Sequence, residues 1–204
     1  MKNYIARAMT FAEYENLIDK LLAEGKTTGL VQSEAMFGYG TLNRRRMLRV
    51  GKTVELSESL RRAVKNYTRP LTWLIITEGW CGDAAQNIPV IEKIAAQSDK
   101  INTLYLLRDE NPELIDQFLT GGARSIPKLI AIDPATLNVL GSWGARPSSA
   151  QQLFESLKAI GNEKSVIQEE IQRWYNYDKG RSLQTEFEGL LSEWSNVQSS
   201  KAAA

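Results

Sequence analysis

Two apolar, β-branched runs joined by a helical segment do most to restrict how this chain can fold. The runs Leu71–Thr77 and Ile101–Leu107 have the composition of buried strands. Between them, residues 83–97 place apolar side chains at helical spacing. Strands joined through a helix pair in parallel within one sheet. The sequence therefore predicts an α/β fold.

The segments that follow predict a mixed, four-stranded central sheet. A helix is expected to begin at Pro112, because proline is favoured at the first helical position. Strands are predicted at 128–133 and 138–143, and the short turn between them makes this pair antiparallel. A further helix is predicted at 148–160. Helices therefore flank a sheet with both parallel and antiparallel pairs.

Helical extensions are predicted on both sides of this region. Thr10 and Glu13 have the spacing of a capping box for a helix over 10–24. The other predictions are a loop at 26–40, a short helix at 43–50, and helices at 57–67, 163–177 and 182–194. We expect an N-terminal helical extension over 1–54, the sheet domain over 55–161 and a C-terminal helical extension over 162–204. The final SSKAAA is expected to be disordered.

Missing residue types exclude several kinds of site. The 204 residues include one cysteine and no histidine. A single cysteine cannot form an intramolecular disulfide or a cysteine-based zinc site. Without histidine there is no imidazole metal ligand, no Ser-His-Asp triad and no Cys-His dyad. We therefore expect neither a metal nor a cofactor.

The charge balance and the hydropathy pattern restrict partners and location. Lys plus Arg total 25 and Asp plus Glu total 24, so no net charge attracts nucleic acid or anionic lipid. The N-terminus lacks the apolar core of a secretory signal. No apolar stretch approaches the ~20 residues that span a bilayer. We expect a cytoplasmic protein that binds neither nucleic acid nor membrane.

The chemistry is predicted at the junction between the first strand and the next helix, where Trp80, Cys81, Gly82 and Asp83 follow one another. The N–H groups and dipole of a helix N-terminus favour a thiolate over a thiol. The carboxylate of Asp83 disfavours a second negative charge. We expect only a modest shift in the pKa of Cys81.

The Trp-Cys-Gly motif at this junction resembles the thioredoxin-like superfamily. Pro89 lies where thioredoxins have the proline that kinks the active-site helix, and Ile126-Pro127 before a strand resembles their cis-proline. The helical extension, the Arg- and Met-rich segment 43–52 and the motif Trp-Cys-Gly-Asp-Ala are similar to a bacterial thioredoxin-like group with one active-site cysteine. The resemblance implies a thioredoxin-like fold and a substrate groove formed by Trp80, Gly82, Asp83, Ile126 and Pro127.

Two departures from the family pattern remove the resolving step of dithiol exchange. The position of the resolving cysteine holds Ala84, and the position of the buried assisting acid holds Ile75. Disulfide reduction needs a second thiolate to release the mixed disulfide. The chain is therefore not expected to be a working dithiol disulfide reductase.

Charged residues outside the motif give weaker signals. Arg124 lies three residues before Pro127, so we expect it to face Cys81 and stabilise a thiolate. The basic residues Arg44, Arg45, Arg46, Arg49 and Lys52 form either a solvated helix face or a patch for an anion or an acidic partner.

Three functions remain open. The first is a monothiol protein in which Cys81 forms mixed disulfides with protein or small-molecule thiols and disulfides. The second is a non-catalytic peptide-binding module that uses the Trp80–Cys81–Pro127 groove. The third resembles glutaredoxins that bind glutathione or an iron–sulfur cluster, although Ala84 stands where their motif has serine.

Overall fold

The four predicted strands form one mixed sheet in a computed structural model that describes residues 1–196. The strands are β1 (Leu71–Thr77), β2 (Ile101–Leu107), β3 (Lys128–Ile132) and β4 (Val139–Trp143), in the order β2-β1-β3-β4. β1 pairs in parallel with β2 and antiparallel with β3, which pairs antiparallel with β4. Every residue of β1 is buried, as its continuous apolar run predicts. The predicted SSKAAA tail lies outside the described residues.

Helices flank this sheet, as expected. They are α1 (Lys2–Ala6), α2 (Phe11–Ala23), α3 (Glu34–Thr53), α4 (Glu58–Asn66), α5 (Gly82–Ala95), α6 (Pro112–Ile115), α7 (Ser148–Ala159), α8 (Lys164–Asp178) and α9 (Arg181–Asn196). A 3-10 turn, Asp116–Phe118, follows α6. The Thr10–Glu13 capping box is present, and Pro89 lies inside α5. No helix within residues 1–196 is long and apolar enough to cross a bilayer.

α3 corrects the prediction of a loop at 26–40 and a short helix at 43–50. It is one helix of 20 residues, and the Ser33 side chain accepts a hydrogen bond from the Met36 N–H at its start. Gly40 lies inside it, where an added Cβ would be 2.7 Å from Thr27 Oγ1. Glycine lowers helix propensity, but here it lets the helix pack closely on the preceding loop. Tertiary packing therefore outweighs the local propensity.

The predicted extensions share the core of the sheet domain. Tyr14 of α2 stacks on Tyr105 of β2, with ring centroids 5.1 Å apart. Met9 also forms an isolated antiparallel bridge with Tyr105, so the N-terminal segment covers part of the β2 edge. Phe187 of α9 packs edge-on against Trp73 of β1 at 5.3 Å. The domain limits 1–54, 55–161 and 162–204 stay a prediction.

Candidate functional site

Cys81 is the N-cap residue of α5, directly after the loop that follows β1. Its sulfur accepts a hydrogen bond from the Ala84 N–H at 3.4 Å and donates one to the Ile126 carbonyl oxygen at 3.2 Å. The residue is only 7% exposed. The sulfur therefore reaches the predicted helix N-terminus, but it is held there as a donor, in the protonated form.

Burial sets the protonation state of this thiol. It raises the pKa of Cys81 to about 12, and the charge of Asp83 adds to the increase. The N–H groups of Ala84 and Asp83 and the charge of Arg146 act in the opposite direction. The expectation of a modest shift was wrong, because removing the sulfur from water outweighs the helix N-terminus. At neutral pH the group is a thiol.

Ile126 and Pro127 lie against Cys81 as the resemblance implied. The peptide bond between them is cis, both residues are buried, and the Ile126 carbonyl accepts the thiol hydrogen bond. The backbone of Gly144 packs tightly against them, since an added Cβ there would overlap the Pro127 carbonyl oxygen. Gly144–Ala145 is a second cis peptide bond, which the sequence analysis did not predict.

A buried charge network surrounds Asp83. The Arg146 guanidinium contacts Asp83 Oδ2 through Nη2 at 2.5 Å, and the two side chains are 11% and 13% exposed. Tyr175 donates its hydroxyl to Asp83 Oδ1 at 2.8 Å and accepts a hydrogen bond from Asn87 at 2.9 Å. Asp83 is therefore fixed by partners from outside the sequence motif. Its neutralisation by an arginine lessens its effect on the nearby thiol.

Arg124 does not occupy the predicted position. Its guanidinium forms hydrogen bonds of 2.6 Å to both carboxylate oxygens of Asp116 at the surface. Arg146 is the arginine whose charge acts on Cys81. The prediction for Arg124 relied on closeness to Pro127 in sequence, whereas Arg146 reaches the site because it follows β4, next to β3 in the sheet.

Trp80 is partly buried beneath residues that precede the sheet. Asn43 donates its side-chain amide to the Trp80 carbonyl oxygen at 2.6 Å, and Arg108 lies over the indole ring at 4.8 Å. Gly29 approaches so closely that an added Cβ would lie 2.8 Å from Trp80 Nε1. The Arg46 guanidinium lies 3.8 Å from the position that a Cβ would take on Gly82. The N-terminal extension therefore forms one wall of the site.

Glu78 is a buried acid that the sequence analysis missed. It lies at the end of β1, three residues before Cys81, and its Oε1 accepts a hydrogen bond from the Asp109 N–H at 3.0 Å. Burial raises its pKa above the ordinary value. A glutamate between a buried strand and a Gly-Trp-Cys motif was the available signal. Within residues 1–196, no cluster of three or more acidic, cysteine or histidine side chains is placed to hold a metal ion.

A comparison with solved structures finds a similar overall fold in a bacterial protein. The chain is similar to a protein of unknown function, PA1234 from Pseudomonas aeruginosa, with 15% identity, a TM-score of 0.56 and coverage of 98% of this chain and 96% of that one. An HIV epitope-scaffold matches with a TM-score of 0.48 and 15% identity over 94% and 99% of the two chains. No curated protein matches.

The sequence itself carries the family assignment. A family model described as thioredoxin matches residues 29–158, which is more than half of the chain. This range contains the strand-to-helix junction with Cys81, the cis-proline and all four strands. It also begins inside the predicted N-terminal extension, so α3 belongs to the matched region. A family match over these elements, together with the mixed sheet, establishes that the chain belongs to the thioredoxin family.

Proposed function

We propose that this protein is a non-catalytic binding module of thioredoxin fold that holds a segment of a partner protein beside Trp80. The single observation that carries the proposal is the state of Cys81. Its thiol is buried, donates a hydrogen bond to the Ile126 carbonyl oxygen and has a pKa that burial raises to about 12. A thiolate is the nucleophile in disulfide exchange, and this thiol supplies almost none at neutral pH. The site is therefore better suited to binding a partner protein than to thiol-disulfide exchange.

An apolar surface beside the motif supports the binding role. Leu30 and Val31 are 79% and 65% exposed. The Leu30 N–H donates to Asp109 Oδ2 at 3.2 Å, and Arg108 bridges Asp109 to the Trp80 ring. We call Leu30, Val31, Trp80 and Arg108 the Trp80 surface. Exposed apolar side chains surrounded by polar residues are typical of protein-binding surfaces.

Charge on the adjacent face of α3 favours an acidic partner segment. Arg44 forms ion pairs with Glu15 and Asp19 of α2. Among the described residues, the neighbouring Arg45 and Arg46 form no ion pair, and Arg46 lies beside Gly82 with an asparagine as its polar partner. Uncompensated arginines attract and orient a negatively charged segment. The partner is therefore expected to carry acidic residues next to apolar ones.

Monothiol exchange is the second candidate, because Cys81 and the cis-proline are adjacent as in the dithiol members of the family. It requires a motion that exposes the sulfur before reaction. The glutaredoxin-like alternative and the expectation that no metal or cofactor is bound stay predictions, as does the cytoplasmic location.

Comparison of the wild-type chain with three variants tests the proposal. Each protein is tagged and used to capture partners from a lysate of the source cell. The four proteins are the wild-type chain, Cys81→Ser, the double variant Leu30→Ser/Val31→Ser, and Ile160→Ser. Ile160 is 76% exposed and serves as a matched apolar control. We expect a partner that is retained by Cys81→Ser and Ile160→Ser and lost with Leu30→Ser/Val31→Ser. Capture that needs Cys81 and is reversed by a reductant would instead establish monothiol exchange.

A further inference from the structure

A cavity of about 330 Å³ lies behind the candidate site, between α3, α5 and the end of α8. Its lining includes Val50 and Val54 on one side and the Tyr175 ring on another. The volume is at the lower end of the range of small-molecule sites, roughly 300–1,000 Å³. The cavity is distinct from the Trp80 surface, and neither proposal depends on the other.

A buried amide in the cavity wall lacks a partner. Gln86 is 6% exposed, and its side-chain nitrogen forms no hydrogen bond with any described residue. Buried amide nitrogens are almost always paired, because an unpaired one loses its hydrogen bonds to water. Gln86 also lines the cavity, so rotation of its buried amide toward the cavity would let a ligand there supply the missing acceptor.

Cations at the cavity determine which ligand fits. Arg49 and Lys179 both line it, and neither forms an ion pair within residues 1–196. Burial lowers the pKa of neighbouring Arg46, and the positive charge of Arg49 lowers it further. Such cations favour an anion.

One acidic residue, Asp178, also lies in the cavity wall, and its carboxylate oxygens are bound by Ser182. Both carboxylate oxygens of Asp178 accept from the Ser182 N–H, at 3.1 and 3.2 Å, and Oδ1 also accepts from the Ser182 hydroxyl at 2.5 Å. This carboxylate therefore caps the first turn of α9, where a negative charge is stabilised by the helix dipole. The two cations, Arg49 and Lys179, outweigh the single negative charge of Asp178, so the charged residues of the lining are net positive.

We propose that this cavity binds a small organic anion, with its carboxylate or phosphate oxygens accepting hydrogen bonds from Arg49, Lys179 and Gln86. A short apolar body of the ligand lies against Val50 and Val54. Planar guanidinium groups bind carboxylate and phosphate in a bidentate manner, so the two head groups share one recognition chemistry. The valines and the modest volume favour a body of a few carbon atoms.

Titration of the full-length protein with defined probes tests this proposal. Sodium butyrate, butyl phosphate, inorganic phosphate and butylammonium are added at constant ionic strength, and the side-chain amide signals of Gln86 are followed by NMR. We expect butyrate or butyl phosphate to cause a saturable shift at millimolar concentration, and butylammonium to cause none. The relative affinities of the two anions identify the preferred head group, and a response to inorganic phosphate alone would overturn the role of the apolar wall.

Two exposed arginines of α3 provide a matched pair of variants. Arg49→Gln removes a cavity cation, whereas Arg45→Gln removes an equal charge that does not line the cavity. We expect Arg49→Gln to weaken anion binding about tenfold, as for loss of one charged hydrogen bond, and Arg45→Gln to leave it unchanged. Lys179→Gln repeats the test from the other wall. Equal effects of Arg45→Gln and Arg49→Gln, or the absence of saturation with either organic anion, would overturn the proposal.

Discussion

The Cys81 sulfur takes part in two hydrogen bonds of opposite sense, accepting from the Ala84 N–H and donating to the Ile126 carbonyl. Thioredoxin-type chemistry needs the accepting role alone, because the attacking species is the thiolate. Here the donating role is satisfied by a buried carbonyl that deprotonation would leave unpaired. The protonated thiol is a poor nucleophile. Ala84 also stands where dithiol thioredoxins have the resolving cysteine, so this chain has no second thiol to release a mixed disulfide.

The alkylation rate of Cys81 should report this protonation state. The thiolate fraction increases with pH, so the wild-type rate with iodoacetamide should be low at pH 7 and rise about tenfold per pH unit until the pKa is approached. Asp83→Asn removes a negative charge and leaves Arg146 without its carboxylate. We expect this variant to have a lower Cys81 pKa and faster alkylation at pH 8. A wild-type rate that levels off near pH 8.5 would contradict the buried-thiol description.

The same substitution should also destabilise the fold. Removing one partner of a buried ion pair leaves an uncompensated charge, and we expect the free energy of unfolding to fall by about 3 kcal/mol in urea denaturation. Asp116→Asn breaks the exposed pair with Arg124 and is the control. Its stability should hardly change, because water and salt screen exposed pairs.

Among the elements, α9 corresponds to the helix predicted at 182–194, and it supplies part of the sheet's packing. Phe187 is fully buried, with its ring centroid 5.3 Å from that of Trp73, 5.5 Å from that of Trp143 and 6.4 Å from that of Trp194. Edge-to-face aromatic contacts add to the free energy of burying the rings. The helix therefore holds β1 and β4 together from outside the range of the family match.

Phe187→Ala tests this role of α9. Removing a buried aromatic ring leaves a cavity, so we expect the free energy of unfolding to fall by about 4 kcal/mol, with loss of near-UV dichroism from the tryptophans. Tyr177→Ala removes an aromatic ring that is 82% exposed and should change stability by less than about 0.5 kcal/mol. A similar small effect of Phe187→Ala would mean that α9 is dispensable for the core.

At the scale of the whole molecule, the N-terminal extension closes over the thioredoxin site. Thr28 accepts a hydrogen bond from the Gly79 N–H at 2.7 Å, and Asn43 donates to the Trp80 carbonyl. Gly29 lies between these contacts at a backbone φ of +88°. The extension therefore contributes to the low exposure of the motif, which the sequence of the motif cannot reveal.

Substitution of two glycines distinguishes the close contact between Gly29 and Trp80 from the cost of placing alanine at a positive φ. Gly25 and Gly29 both have positive φ, of +72° and +88°, so alanine costs about 1 kcal/mol at either. Only at Gly29 would the new Cβ meet Trp80 Nε1 and Asp109 Oδ2, at 2.8 and 2.9 Å. We expect Gly29→Ala to lose about 2 kcal/mol more than Gly25→Ala, by overpacking, and to alkylate faster at Cys81. Equal stability and equal alkylation of the two variants would contradict the closed site.

Local patterns in the sequence were sufficient to predict the sheet, and the sequence also shows that the chain has no second cysteine. The bounds of β1 and β2, the Thr10 cap and the cis bond before Pro127 were all predicted, because each depends on side chains adjacent in sequence or on a family motif. The length of α3 was not, because Gly40 lowers helix propensity and the compensating contact with Thr27 comes from tertiary packing.

The sequence by itself determined that one thiol lies at the start of α5, opposite a proline turn, without a second thiol to release a mixed disulfide. Only the tertiary structure decided that this thiol stays protonated and that Arg146, and not Arg124, lies near it. The reason is physical: a pKa depends on how much water and which charges surround a group in space. Apart from Asp83, those neighbours come from the segment before β3, the segment after β4 and the N-terminal helices, all distant from Cys81 in sequence.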